Sequence, residues 1–168
     1  MKRVWMFALT MCAMMVPVVA EAQMVIVVRH AERADGGAGT GAAMTSGNDP
    51  ELSEAGKARA QKLVAMLGDA GIVAIYTTQY RRTKDTAAPL AAKIGVTSEA
   101  VLSGDLPALV ERIKSHKTGS VLVVGHSNTV PQIIKALGGS AVTVGDDEYD
   151  SLFFVAPNGT TTRIRFKP

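Results

Sequence analysis

Two uninterrupted apolar runs, Val25-Ile26-Val27-Val28 and Val121-Leu122-Val123-Val124, constrain this chain more than any other feature. A strand with one wet face alternates apolar and polar residues, and neither run does. Each therefore reads as a strand covered on both faces, as in a parallel sheet packed between helices. The spacing elsewhere supplies those helices. Ser53 caps one whose apolar stripe is Ala60, Leu63, Val64 and Leu67, stopped by Gly68 and Gly71. Ile72–Tyr76 is a second strand, followed by a helix from about Arg82 to Ile94 that ends at Gly95 and should bend or break at Pro89. A short strand is expected within Val96–Val101. Leu106–Lys114 forms a helix with Pro107 in its first turn and Leu106, Leu109, Val110 and Ile113 on one face. Another helix begins at Asn128 or Thr129 and ends at Gly138-Gly139. Leu152–Val155 and Thr161–Phe166 flank Pro157-Asn158-Gly159 as a terminal β-hairpin. The expected fold class is α/β: a three-layer sandwich with a mostly parallel central sheet flanked by helices, plus a C-terminal β-hairpin.

The first 22 residues stand apart from this pattern. Basic Lys2 and Arg3 precede an apolar run from Val4 to Ala20, and Ala20-Glu21-Ala22 offers small residues at a cleavage position. That is the layout of a secretory leader, expected over 1–22, with a single domain over 23–168. The run is short for a membrane span, and Pro17 interrupts it, so no stable membrane insertion is expected after cleavage. Periplasmic or secreted localisation follows. The only cysteine, Cys12, lies inside the leader, so the domain has no disulfide, thiolate nucleophile or cysteine metal site and relies on packing. The net charge of +3 falls by one when Lys2, Arg3 and Glu21 leave together. A nearly neutral domain with few aromatic residues gives no argument for nucleic acid.

Ligands of open α/β sheets bind beyond the carboxyl ends of the strands. Arg29-His30-Ala31-Glu32-Arg33 follows the first apolar run, Thr77 to Thr83 with Arg81 and Arg82 follows the second strand, and Gly125-His126-Ser127-Asn128 follows Val121–Val124. Three strand ends thus deliver two of the three histidines and several arginines to one edge of the sheet. That set suits phosphoryl transfer. Guanidinium forks match the oxygens of a phosphomonoester dianion. A neutral imidazole can attack phosphorus and split hydrolysis into two steps. A second histidine, if protonated, donates to the equatorial oxygens, and the N-terminus of the helix after His126 adds backbone donors.

The segments "VVRHAE", "LSEAGKARAQKL", "IYTTQYRRTKDTAAPLA" and "VLVVGHSN" resemble, in order, the landmarks of the histidine phosphatase superfamily, in its phosphoglycerate-mutase-like branch, over Val25 to about Leu137. The resemblance implies a metal-independent phosphomonoester hydrolase with His30 as nucleophile, Arg29 and Arg82 as phosphate-binding arginines and His126 as the second pocket histidine, joined by Ser127 in binding substrate. Arg81 falls on a variable position and is expected to be peripheral. Ala31 stands where many members have Gly, which narrows the room beside the nucleophile. A His-Asp pair late in the chain would mark the acid-phosphatase-like branch, and Gly125-His126-Ser127-Asn128 stands instead.

The leaving-group acid has two candidates beyond the second arginine. Asp105 is favoured, although an Asp in Ser-Gly-Asp-Leu-Pro also serves as a helix N-cap, and Glu99 is the alternative, although it also reads as a solvated strand-edge charge. Glu32 reads as structural and Arg33 is left open between an ion pair and the substrate. His116 reads as a solvated loop residue. Asp146-Asp147-Glu148 with Asp150 lacks a calcium loop's ligand spacing and reads as a solvated loop. A metal site built on His30 and His126 is disfavoured because the flanking arginines repel a cation, so no metal or cofactor is expected. The expected partner is a small phosphorylated substrate; oligomeric state is not readable. The Gly- and Ala-rich stretch from Ala34 to Asp49 reads as a mobile loop forming one wall of the pocket. Two other functions fit the same residues: a non-catalytic phosphate-binding module, which would not need a nucleophilic histidine, and a phosphomutase, which needs a primed enzyme and a larger closing insert.

Overall fold

The computed structural model describes residues 23–35 and 49–167. The leader expected over 1–22 and most of the loop expected over 34–49 lie outside the described residues. The elements run β1 (Met24–Arg29), α1 (Glu54–Leu67), β2 (Ile72–Thr77), α2 (Arg81–Ile94), β3 (Ser98–Ala100), α3 (Leu106–Ser115), β4 (Ser120–Gly125), α4 (Thr129–Ala136), β5 (Ser151–Val155) and β6 (Thr161–Arg165).

Six strands make one sheet in the order β3-β2-β4-β1-β5-β6. The first four are mutually parallel, and β5 and β6 add antiparallel to β1 and to each other. The sandwich and the terminal hairpin are those expected. The two all-apolar runs, β1 and β4, lie side by side at the centre with Val25 opposite Val121 and Arg29 opposite Gly125. Their alternate side chains feed two separate cores. Val25, Val27, Val121 and Val123 pack with Leu109 and Ile113 of α3 and Val130, Ile133 and Ile134 of α4. Ile26, Val28, Leu122 and Val124 pack with Leu63 and Leu67 of α1 and Ala87 and Leu90 of α2. Both sheet faces are covered, which is why these runs tolerate no polar residue.

Pro89 neither ends nor breaks α2, which is continuous from Arg81 to Ile94. The hydrogen bond it removes would have gone to the carbonyl of Asp85, a half-exposed residue whose carbonyl water can serve. Gly95 closes the helix in the left-handed conformation, φ +71°, that favours glycine. His116 is not a solvated loop residue. It is half-buried at the C-terminus of α3, and its Nε2 lies 2.9 Å from the Tyr76 hydroxyl.

Candidate active site

The parallel register of β1 and β4 brings the two histidines together. The His30 amide donates to the Gly125 carbonyl at 2.9 Å, extending the ladder one residue beyond the strand ends. The rings of His30 and His126 meet edge to face with centroids 5.3 Å apart. Arg29, His30, Arg82 and His126 are all buried, at 3–7% exposure, although each is polar or charged. Such burial normally requires a partner for every polar atom. Among the described residues, the only buried side-chain nitrogen or oxygen atoms without a partner are Nε of Arg29, Nε of Arg33 and Nε of Arg82.

His30 Nδ1 sits 2.8 Å from the Ala31 carbonyl. A carbonyl only accepts, so Nδ1 carries the proton and Nε2 carries the lone pair. Burial pushes the His30 pKa down to about 2, with His126, Arg29 and Arg82 adding to the effect against the Ala31 hydrogen bond. The ring is therefore neutral at physiological pH. His126 is fixed in the opposite tautomer. The Arg82 Nη2 donor approaches its Nδ1 at 3.5 Å, which leaves the Nε2 proton to go to Thr78 Oγ1 at 3.0 Å. Thr78 Oγ1 lies 2.9 Å from Thr83 Oγ1, which donates to the Tyr80 carbonyl at 2.8 Å. Burial first, then Arg82, Arg29 and Arg33, bring His126 down to about 3. Burial and three nearby cations thus oppose the protonated form of His126. The first amides of α4, Thr129 and Val130, point to the His126 carbonyl at 3.1 and 2.9 Å and are not free pocket donors.

Each arginine has its own cradle. Arg29 Nη1 donates to the carbonyls of Gly145 (2.8 Å), Asp146 (2.6 Å) and Glu148 (3.2 Å), and its guanidinium lies 4.0 Å from the Tyr149 ring centroid. Burial lowers the Arg29 pKa, and Tyr149, Asp146, Asp147 and Glu148 pull against it. The acidic segment is a loop with Asp146 and Asp147 exposed, as read from sequence, and it also straps around Arg29, pinned by Glu148 to Ser151, Arg163 and Arg165 and by Asp150 to Arg165. Arg82 donates from Nη1 to Asp49 Oδ1 at 3.2 Å and sits 4.3 Å from the Tyr80 ring centroid. The other Asp49 oxygen accepts the Arg81 amide at 2.6 Å, so Asp49 caps α2 where Tyr80 has no side-chain cap to offer. Ser127 donates to Asp146 Oδ1 at 2.9 Å, tying the segment after β4 to the strap.

Arg29, His30, Arg82 and His126 thus come together. Asp105 is exposed, its carboxylate accepting the Ala108 amide at 3.1 Å as the N-cap of α3. Glu99 is exposed and paired with Arg112. Neither makes a contact with the four. Arg81 is exposed and pairs with Glu51 and Asp85. Glu32 is structural, holding Arg59 of α1 through both oxygens at 2.5–3.0 Å, while Arg59 Nη1 reaches the Phe166 carbonyl at 3.0 Å. The Ala31 methyl packs with Leu52 and Ala60. It fills an apolar contact with α1, so the extra carbon relative to glycine serves packing.

Sequence reasoning missed Asp49, Thr78, Tyr80 and Tyr149. Asp49 ends a stretch with no periodicity, and nothing local marks it as the partner of Arg82. The two tyrosines became informative only once each ring was seen against an arginine. Among the described residues, no group of three or more His, Cys, Asp or Glu is placed to hold a metal ion.

Two facing histidines of opposite tautomer thus stand with Arg29 and Arg82 at the carboxyl ends of parallel strands, an arrangement able to receive an anionic group. The sequence profile of the histidine phosphatase superfamily (branch 1) matches residues 25–106, and over that stretch the chain is similar to this superfamily. Among solved structures, the native mycobacterial glucosyl-3-phosphoglycerate phosphatase is similar with a TM-score of 0.64 at 16% identity, covering 88% of this chain and 99% of that one. The same mycobacterial enzyme in complex with inorganic phosphate gives 0.63 at 16% identity, covering 88% and 98%. YhfR of Bacillus stearothermophilus gives 0.64 at 17% identity, covering 86% and 96%. At these identities the likeness is one of fold. No protein of curated function matches the chain by sequence.

Proposed function

We propose that this protein is a phosphomonoester hydrolase that acts without a metal, through a phosphohistidine on Nε2 of His30. The observation that carries the reading is the bond from His30 Nδ1–H to the Ala31 carbonyl. It leaves the lone pair on the nitrogen opposite, in a ring kept neutral by burial and flanked by two arginines with unpartnered Nε atoms. Neutral imidazole is the nucleophilic form. Nε2 attacks phosphorus; the N–P bond forms as the bond to the ester oxygen breaks, and the leaving alkoxide takes a proton from water to depart as the alcohol. Water then attacks the phosphorus, the N–P bond breaks, and inorganic phosphate and free His30 are regenerated. Arg29 and Arg82, already held by backbone carbonyls and by Asp49, meet the developing charge with little reorganisation. An arriving dianion offsets the arginine charges that add to burial in keeping His126 neutral, and so favours its protonated, donating form.

The phosphate complex of the structurally similar mycobacterial phosphatase supports this reading. With the leader expected over 1–22, the enzyme would act in the periplasm or outside the cell. The test is release of inorganic phosphate from phenyl phosphate by the purified protein and by His30→Ala, with and without a chelator. Turnover that survives chelation and falls by roughly three orders of magnitude or more in the variant is expected. Chelator-sensitive turnover, or a His30→Ala variant as fast as the parent, overturns the mechanism. Phosphate transferred to a second alcohol instead of water identifies a mutase, and binding without turnover identifies a non-catalytic module.

A further inference from the structure

We propose that Arg33 binds a second anionic group on the substrate, so that the preferred esters carry a carboxylate or another phosphate close to the phosphoryl group being removed. The proposal rests on reading the His30 pocket as a phosphate site and extends it to the leaving group.

Arg33 shares one property with Arg29 and Arg82 and with no other described residue: a buried Nε–H with no acceptor. An unpaired buried donor is costly, and three of them, on the three arginines whose charges act on His126, suit anionic oxygens. Two of the three belong to the arginines that receive the phosphoryl dianion. The third is placed differently. Arg33 stands past the end of β1, where it bridges to Leu52 in an isolated antiparallel pair, and the Ala34 amide follows with a bond to the Glu51 carbonyl at 2.9 Å. It therefore sits on the chain that leaves the sheet edge, outward of His30. Its field is felt most at Arg82, where it is the leading charge, and last among the arginines at His126. The side chain is 13% exposed and paired through Nη2 with Asp35, which holds the guanidinium in place and leaves Nε unused. A phosphoryl dianion is matched by the two charges of Arg29 and Arg82. Arg33, paired through Nη2 with Asp35, still presents a buried Nε–H, and a carboxylate or phosphate oxygen on the leaving group meets it with a charge-assisted hydrogen bond that a neutral alcohol does not offer.

The test compares methylphosphonate with phosphonoacetate, which adds one carboxylate to the same non-hydrolysable phosphonate. Dissociation constants of both are measured calorimetrically on the full-length protein, on Arg33→Ala and on Arg33→Lys. The parent should bind phosphonoacetate roughly 10- to 100-fold more tightly, the yield of one charge-assisted hydrogen bond. Arg33→Ala should bring the ratio close to one, and Arg33→Lys, which keeps the charge without the fork, should retain part of it. A parent with no preference overturns the proposal, and so does a preference that survives in Arg33→Ala. Weakening of both ligands by the same factor in Arg33→Ala overturns it too, because Arg33 would then serve the phosphoryl group itself. Thermal melts of the unliganded variants show whether each is folded, and a parent without preference overturns the proposal even if neither variant is. No turnover enters this comparison, so a failure of the hydrolase reading shows separately as absent release from phenyl phosphate.

Discussion

Gly56 is where the fold has least room to give. It lies in the first turn of α1, and a Cβ built there would stand 2.3 Å from the Glu32 carbonyl oxygen and 3.0 Å from the Glu32 amide nitrogen. Real Cβ contacts rarely fall below 3.0–3.4 Å, so Gly56→Ala requires a shift of about 1 Å between α1 and the segment after His30. The obstacle is backbone and cannot rotate aside. That segment is also tied to α1 by the Ser53 amide on the Glu32 carbonyl at 2.9 Å and by the Glu32–Arg59 pair. Overpacking of this kind costs about 1–3 kcal/mol, and the rigid neighbours place it near the upper end. Alanine's better helix propensity returns up to ~1 kcal/mol, leaving a net loss of about 2 kcal/mol. For a domain of this size that lowers Tm by roughly 4–8 °C. Because Glu32 is two residues from His30, a displacement on the order of 1 Å should also cut kcat by roughly tenfold or more at temperatures where the variant is folded. Thermal melts and turnover of phenyl phosphate are the assays. Gly104→Ala, whose added carbon meets nothing within 4 Å, is the control and should stay within about 0.5 kcal/mol of the parent. A Gly56→Ala protein that melts and turns over like the parent would refute the close approach of α1 to the segment after His30.

Two further outcomes are expected. Asp49→Ala removes both the acceptor for the Arg81 amide and the anchor of Arg82; kcat/KM should fall by roughly tenfold with KM carrying most of it, and Asp49→Asn should recover part. Steady-state kinetics on phenyl phosphate check this, and equal losses in both variants would leave the acceptor role unsupported. The histidines set a pH dependence of stability. Both folded pKa values, about 2 and about 3, lie below the ordinary 6.5, so between those limits the unfolded chain binds more protons. Their contribution is full above about pH 6.5 and declines as pH falls toward 3, so Tm should drop across that range, and His126→Asn should flatten the slope.

The strand ends were the legible part of this chain. All-apolar runs predict doubly covered strands, and the rule that chemistry follows such strands brought His30, His126 and several arginines to one edge, while the resemblance to the histidine phosphatase superfamily singled out Arg29 and Arg82 among those arginines. What holds those residues was not legible. Arg29 is gripped by three backbone carbonyls far along the chain, and a carbonyl has no side-chain signature. Asp146, Asp147 and Glu148 drew attention for their charge, whereas two of those three matter here through their peptide groups. Asp105 illustrates the opposite difficulty: one short sequence context suits both a helix cap and a general acid, and the contact that the structure contains is the cap.

The meeting of His30 and His126 depends on one ladder bond and one register, with Arg29 opposite Gly125. Register in a sheet moves only in whole residues, and a slip of one turns every side chain to the opposite face. The paired imidazoles are therefore a digital feature of the fold. Lesions in the two cores that loosen β1 against β4 should change the fraction of molecules that are competent while each competent molecule keeps its full rate. Active-site titration set beside bulk activity would then separate damage to the sheet from damage to the pocket.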